Sequence, residues 1–137
     1  NDESCTTHFV QAAGVEAIAH PDGAAPMLAE LQRRRDAAIR GLAAIDGITC
    51  ATPDATFYLF PNVTAVMSRM GFAEVGDFAT AALQNTGVSF CTRQHFGRPQ
   101  ADEVEQYIRL AYSGISVDDI TEGLDRLAAW TATGGAT

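Results

Sequence analysis

Hydrophobic positions recur with helical spacing in four stretches of the chain, which predicts four main helices. The alanine-rich residues 9–19 predict the first helix, and an apolar row from Pro26 to Ile45 predicts the second. Residues 73–84 carry apolar side chains at i, i+3, i+4, i+7 and i+8 and predict the third. Ser116, with Asp119 three residues later, resembles a capping box and predicts the start of the last helix.

Strand-type composition marks residues 56–60, 88–92 and 107–112, where β-branched and aromatic residues stand between turn residues. A shorter edge strand is predicted over residues 48–51, and a short acidic helix over residues 101–105. Mixed element order with short connections predicts an α+β fold, an α/β sandwich in which helices pack on one small, mostly antiparallel sheet of three to four strands. We expect the three main strands to share that sheet and to bring three side chains into or beside one core, namely Phe57, Phe90 and Leu110.

Composition and charge exclude several classes of function. The 137 residues, 47% hydrophobic and 19% charged, suit one folded domain. The formal charge of −8, with Arg33-Arg34-Arg35 as the only basic run, argues against a nucleic-acid partner. We interpret that run, together with Asp36, as a solvated helix turn. No apolar run reaches the roughly 20 residues that a membrane span needs, so no membrane association is expected.

The cysteines indicate a compartment and give no metal site. The chain has three cysteines, Cys5, Cys50 and Cys91. Their odd number, their wide spacing and the lack of a CxxC pair favour a reduced, cytoplasmic protein. None of the three histidines stands at ligand spacing with a cysteine pair, so no metal is predicted.

The basic residues limit the chemistry that the chain can perform. All nine are arginine, and the chain contains no lysine. A Schiff base or a phosphate-clamping ammonium requires a primary side-chain amine. This chain therefore cannot perform such chemistry alone.

Arg109 carries the strongest indication of a chemical role. Alternation along the predicted strand places Ile108, Leu110 and Tyr112 on one face and Arg109 on the opposite face. A guanidinium held in mid-strand presents two parallel donors to a carboxylate. The alternative is an arginine on a solvated sheet face, paired with one of the chain's many acids.

Cys91 and His95 suggest a different possibility, a thiol nucleophile with an imidazole base four residues away. Cys91 lies on a predicted strand and His95 in the loop that follows, so the spacing does not guarantee contact. Cysteine is also among the residue types most often buried. This hypothesis requires alkylation of Cys91 to abolish a turnover that the chain shows by itself.

Six segments, in order, resemble one enzyme family. They are residues 4–17, Arg34-Arg35-Asp36, 56–61, 87–90, His95-Phe96-Gly97 and 107–113. Together they resemble the C-terminal part of the class I/II aminotransferases, the aspartate aminotransferase-like enzymes of fold type I that depend on pyridoxal phosphate. The resemblance covers nearly the whole chain, and six segments in order at matching spacing are specific.

This resemblance implies a fragment of a longer enzyme that transfers an amino group between an amino acid and a 2-keto acid. Residues 1–20 would form a helix leading from an absent large domain, and residues 21–137 the C-terminal small domain. The large domain would carry the cofactor lysine, so the fragment alone would be inactive and would bind no pyridoxal phosphate. The full-length enzyme would be a homodimer.

The resemblance also implies two substrate-binding residues. Arg109 matches the arginine that binds the substrate α-carboxylate, and Phe57 matches the first aromatic of an F-Y element near the substrate. We therefore expect the Arg109 guanidinium to be partly exposed on a face that the large domain covers. The chain departs from the family pattern at Ala55, where glycine is usual, and at Thr92-Arg93, where Pro-Gly is usual. The second departure would place an extra cation near the active-site mouth.

A function of another class stays open at this point. The same residues suit a stand-alone α/β module that binds a small carboxylate or a protein partner. The two hypotheses differ on whether the parent gene encodes an upstream domain with a lysine that binds pyridoxal phosphate.

Overall fold

The computed structural model describes residues 5–98 and 101–134. Five α-helices lie in this part of the chain: α1 (His8–Ala19), α2 (Ala25–Ala43), α3 (Thr64–Arg69), α4 (Val75–Thr86) and α5 (Val117–Ala132). Three strands accompany them: β1 (Tyr58–Leu59), β2 (Cys91–Thr92) and β3 (Ile108–Ala111). Two 3₁₀ turns span Pro21–Ala24 and Arg93–Phe96. None of the described helices is long and apolar enough to cross a membrane.

The three strands form one antiparallel sheet with β3 in the centre, between β1 and β2. The register places Tyr58 opposite Ala111, Leu59 opposite Leu110, Cys91 opposite Arg109, and Thr92 opposite Ile108. The predicted α+β fold and shared antiparallel sheet are therefore confirmed. The strands are shorter than the pattern predicts, and the predicted edge strand over residues 48–51 is reduced to one bridge between Thr49 and Asn62.

The core lies between one face of the sheet and the helices. Its buried side chains come from four helices, two strands and the segments between them, and include Leu42, Met67, Phe78, Leu124, Leu59 and Ile108. The Phe78 ring centroid lies 5.6 Å from that of Trp130 and 6.0 Å from that of Phe90. Phe90 and Leu110 pack against this core as predicted. Phe57 does not belong to it and is 37% exposed, because β1 begins only at Tyr58.

Two predictions about helices have opposite outcomes. The predicted cap of α5 is confirmed, since the Ser116 Oγ accepts a hydrogen bond from the Asp119 N–H at 3.0 Å. The predicted helix over residues 101–105 is wrong, because these residues form a turn and extended chain. A five-residue helix is shorter than an independent helix requires, and the Glu103 side chain instead forms an ion pair with Arg93.

The short helix α3 was not predicted. The Thr64 N–H donates to the Asn62 Oδ1 at 2.9 Å just before the helix begins. Val66, Met67 and Met70 are buried in the core along its inner side. An Asn two residues before the first helical turn is the signal that could have indicated it.

Arg34 on α2 has a structural role that the sequence interpretation missed. Its guanidinium donates to the Glu30 Oε1 at 2.9 Å and to the backbone carbonyl of Ser113 at 2.6 Å. The side chain is 21% exposed. The basic run is therefore not simply a solvated turn, since Arg34 attaches α2 to the chain that follows β3.

Helix α1 lies apart from the core. None of its residues is buried, and its principal contacts are with the turn Pro21–Ala24. Phe9, Val15 and Ile18 are 74%, 69% and 82% exposed. The division into residues 1–20 and 21–137 stays a prediction, and residues 1–4 lie outside the described chain.

Candidate functional site

The face of the sheet that the helices leave uncovered carries Arg109. Strand alternation directs Ile108 toward the core, where it is fully buried, and Arg109 to the opposite face, where it is half-buried. Cys91 pairs directly with Arg109, so the two side chains share that face. Tyr58 shares it as well, because it pairs with Ala111, two residues along β3.

Aromatic rings and a thiol surround the Arg109 guanidinium. Its central carbon lies 4.4 Å from the ring centroid of Tyr58 and 4.7 Å from that of Phe96. One terminal nitrogen donates to the Cys91 Sγ at 3.5 Å. The Nε is buried and has no hydrogen-bond partner. The two rings contact the guanidinium through its π face, as in a cation–π interaction.

Arg109 has no counter-charge within the part of the chain that the structure describes, since none of the ion pairs there includes it. The alternative of an arginine paired with one of the chain's own acids is therefore wrong for the described residues. A fixed guanidinium with unpaired donors matches a carboxylate, which can accept two parallel hydrogen bonds from it.

Phe57, the other predicted site residue, lies one ring further away. Its ring centroid is 4.5 Å from that of Tyr58, at an interplanar angle of 48°. The described rings that contact the guanidinium are those of Tyr58 and Phe96. Alternation in the aromatic segment could have indicated Tyr58, whereas the contribution of Phe96 depends on how the loop after β2 folds.

The turn after β2 is closed by side chains. The Thr92 N–H donates to the His95 Nδ1 at 3.1 Å, and the Thr92 Oγ1 lies 3.0 Å from the same nitrogen. His95 thus caps the turn. The Cys91 thiol instead contacts Arg109. This geometry gives no support to a thiol nucleophile with His95 as its base.

Arg93, the extra cation that the sequence places near the active-site mouth, forms an ion pair. Its Nε lies 2.7 Å from the Glu103 Oε1, and both side chains are 19% exposed. It also donates to the backbone carbonyl of Gly97 at 3.3 Å. The ion pair joins the turn Arg93–Phe96 to the segment that leads into β3.

Two tyrosines lie at the two ends of β3, Tyr107 just before it and Tyr112, which is buried in the core, just after it. The Tyr107 ring stacks on Phe60 at 5.1 Å, and its hydroxyl donates to the Glu105 carboxylate at 2.6 Å, which raises the pKa of Tyr107. Tyr112 donates its hydroxyl to the backbone carbonyl of Thr56 at 2.9 Å, and burial raises the pKa of Tyr112. Thr56 has a positive φ of 68°, unusual for a β-branched residue.

A cavity of about 590 Å³ opens where the chain before β2 diverges from β3, and its lining includes Arg109 and Cys91. Phe90, Leu110 and Ile120 are among its lining residues. Residues 88–90, predicted as strand, have no ladder partner there. Within residues 5–98 and 101–134, no group of three or more His, Cys, Asp or Glu side chains could hold a metal ion.

Comparison with known proteins decides the family. The family described as aminotransferase class I and II matches residues 2–127 of the chain. The chain belongs to this family. Because the match spans nearly all of the chain, the sheet and its uncovered face are parts of the aminotransferase fold.

Two curated relatives indicate the extent of the likeness. An asparagine–oxo-acid transaminase from Streptococcus mutans is 32% identical over 125 residues, which are 90% of this chain and 30% of the relative. An aspartate aminotransferase from Rhizobium meliloti is 30% identical over 132 residues, which are 92% of this chain and 30% of that protein. This aminotransferase-family chain thus spans about 30% of the length of the relatives that it matches.

Solved structures give the same result for the fold. The crystal structure of the aspartate aminotransferase from Rhizobium meliloti matches with a TM-score of 0.75 and 29% identity, over 96% of this chain and 32% of that one. An aromatic aminotransferase from Pyrococcus horikoshii matches with a TM-score of 0.75 over 96% of this chain and 34% of that one, at 21% identity, and shows the fold alone.

Proposed function

We propose that this chain is the C-terminal small domain of an aminotransferase that depends on pyridoxal phosphate. The whole enzyme exchanges an amino group between an amino acid and a 2-keto acid. In this proposal Arg109 binds the α-carboxylate of the substrate, and Phe57 lies beside the substrate as the outer ring of the same aromatic cluster.

The state of the Arg109 guanidinium carries the proposal. The guanidinium is half-buried on the uncovered face of the sheet, contacts two rings, and has no acidic partner among the described residues. Every amino acid and 2-keto acid has an α-carboxylate, so a fixed, bidentate cation suits a site that binds both in turn. Holding the carboxylate also fixes the orientation of the reacting carbon.

The residues of this chain do not suffice to hold pyridoxal phosphate. The cofactor acts as an electron sink bound to a lysine through a Schiff base, and the chain contains no lysine. We therefore assign to this chain the substrate carboxylate only, and the cofactor to the remaining part of the enzyme. The chain by itself is then inactive.

The partners in this proposal are the large domain and a second subunit. The exposed apolar residues of α1, Phe9, Val15 and Ile18, suit a segment that packs against the large domain. The homodimeric state of the full-length enzyme rests on the family resemblance. Cys5, Cys50 and Cys91 are free thiols, which supports a reducing compartment such as the cytoplasm.

Transamination by the full-length protein tests the proposal. We expect Arg109→Lys to lower kcat/KM roughly 30-fold to several thousand-fold, because an ammonium does not reproduce the bidentate fork. This decrease corresponds to a loss of about 2–5 kcal/mol of binding free energy. Arg40→Lys is the matched control, since Arg40 is exposed on α2. If Arg109→Lys retains kcat/KM within twofold, Arg109 does not bind the substrate carboxylate.

The chain alone provides the second arm. Mixed with pyridoxal phosphate and borohydride, the 137-residue chain should acquire no lysine label and form no stoichiometric, visible-absorbing complex. A specific complex with micromolar Kd would contradict the assignment of the cofactor to another domain and would favour a stand-alone binding module.

A further inference from the structure

We propose that residues 92–96 form a positioning element for Arg109, and that Phe96 is the residue through which this turn acts. The inference rests on the function proposed above, because it concerns the same guanidinium. It adds a role for a turn that the family resemblance left without one.

The contacts of the Arg109 guanidinium determine what holds it in place. Its Nε has no hydrogen-bond partner, and none of the described acids pairs with it. The contacts that remain are one long hydrogen bond to the Cys91 Sγ and the faces of two rings. Since a thiol is a weak acceptor, the rings of Tyr58 and Phe96 are the principal restraints on the guanidinium.

The two rings differ in how they are themselves supported. Tyr58 is part of β1 and is fixed by the sheet. Phe96 ends the 3₁₀ turn and is 44% exposed. Apart from Arg109, its described ring contact is an edge-on one with Phe60, at 6.3 Å between centroids. The position of Phe96 therefore depends on the conformation of the turn.

Side chains anchor the turn in two places. His95 accepts a hydrogen bond from the Thr92 N–H, which closes the turn. The ion pair between Arg93 and Glu103 attaches the turn to the segment before β3. Thr92 and Arg93 are also the residues that depart from the family pattern. In this chain the two replacements thus form the anchors that place Phe96 on the guanidinium.

Steady-state kinetics of the full-length enzyme with Phe96→Leu and Phe96→Tyr test this role. A carboxylate is bound in the ground state and in the transition state alike, so a less restrained guanidinium should raise KM by a larger factor than it lowers kcat. We expect Phe96→Leu to raise the KM of both substrates, and the Ki of propanoate as a competitive inhibitor, by about fivefold. Phe96→Tyr keeps an aromatic face and should remain within twofold of the wild type.

A second variant acts on the anchor. Glu103→Gln removes the charge that holds Arg93 and should raise the same KM and Ki values by about two- to threefold. This variant tests the inference even where Phe96→Leu does not fold. Val104→Ala is the control, because Val104 is 80% exposed in the same segment. It should leave all constants unchanged.

The outcomes separate this inference from the proposed function. If Arg109→Lys raises the Ki of propanoate but Phe96→Leu and Glu103→Gln do not, the positioning role is overturned and the carboxylate site stands. If Phe96→Leu lowers only the Tm or kcat, the turn is merely structural and the inference is likewise overturned. If Arg109→Lys itself leaves Ki and kcat/KM unchanged, the proposed function fails, and this inference with it.

Discussion

Arg109→Met should separate the functional role of Arg109 from its contribution to stability. The orphaned Nε is a buried donor without a partner, which costs about 1–3 kcal/mol. The two cation–ring contacts offset this cost by about 0.5–1 kcal/mol each. Methionine retains favourable contacts with the rings and buries no unsatisfied donor. We therefore expect the free energy of unfolding to change by less than about 1 kcal/mol, in the stabilising direction.

Urea unfolding of the 137-residue chain measures this change. Trp130 is the natural fluorescent probe, since its ring lies against Phe72 and Phe78 in the core. Leu124→Ala provides the positive control, because Leu124 is 6% exposed and its truncation should cost about 2–5 kcal/mol. A loss of more than about 3 kcal/mol in Arg109→Met would refute the reasoning. It would mean that the guanidinium is part of the structural framework and is not held ready for a ligand.

Two further predictions concern backbone strain and pH. Gly47 and Gly71 both have positive φ, but an added Cβ at Gly47 would lie 2.8 Å from the Val66 backbone nitrogen, while Gly71 has open space. In urea unfolding, Gly71→Ala should cost about 1–2 kcal/mol and Gly47→Ala at least about 1 kcal/mol more, and equal losses would contradict the clash. Burial raises the pKa of Tyr112, so its contribution to stability is present below about pH 10 and is lost as the pH rises through the raised value. Between pH 8 and pH 10.5 the free energy of unfolding should therefore fall less in Tyr112→Phe than in the wild type. An identical fall would contradict a contribution of the Tyr112 hydroxyl to this pH dependence.

Local patterns in the sequence determined the types of most elements. Helical spacing indicated α1, α2, α4 and α5, and the Ser116 cap of α5 was confirmed at atomic distance, because such signals depend on residues within one turn of each other. Alternation in β3 alone placed Arg109 on the face opposite Ile108. The absence of lysine, a fact of composition, already excluded a Schiff base on a lysine of this chain.

Strand length and unexpected helices depended on tertiary contacts. Val88 and Phe90 have strand propensity, yet the chain there diverges from β3, and propensity alone does not supply a hydrogen-bonding partner. The acidic residues 101–105 have helix-start composition, but five residues cannot sustain a helix once Glu103 pairs with Arg93. These outcomes depend on residues that lie far apart in the chain.

The surroundings of Arg109 were decided by the tertiary structure. Tyr58, Cys91 and Phe96 come from β1, β2 and the turn after β2, and only the order β1-β3-β2 and the closed turn bring them to one guanidinium. The sequence pattern equally does not show that Glu103 neutralises the charge of Arg93, because the two residues meet only in the folded chain. Sequence determined which residue faces away from the core, because alternation is a property of one strand. Three-dimensional packing determined that its guanidinium lies between two rings without an acidic partner among the described residues, because that state depends on the distances between several segments.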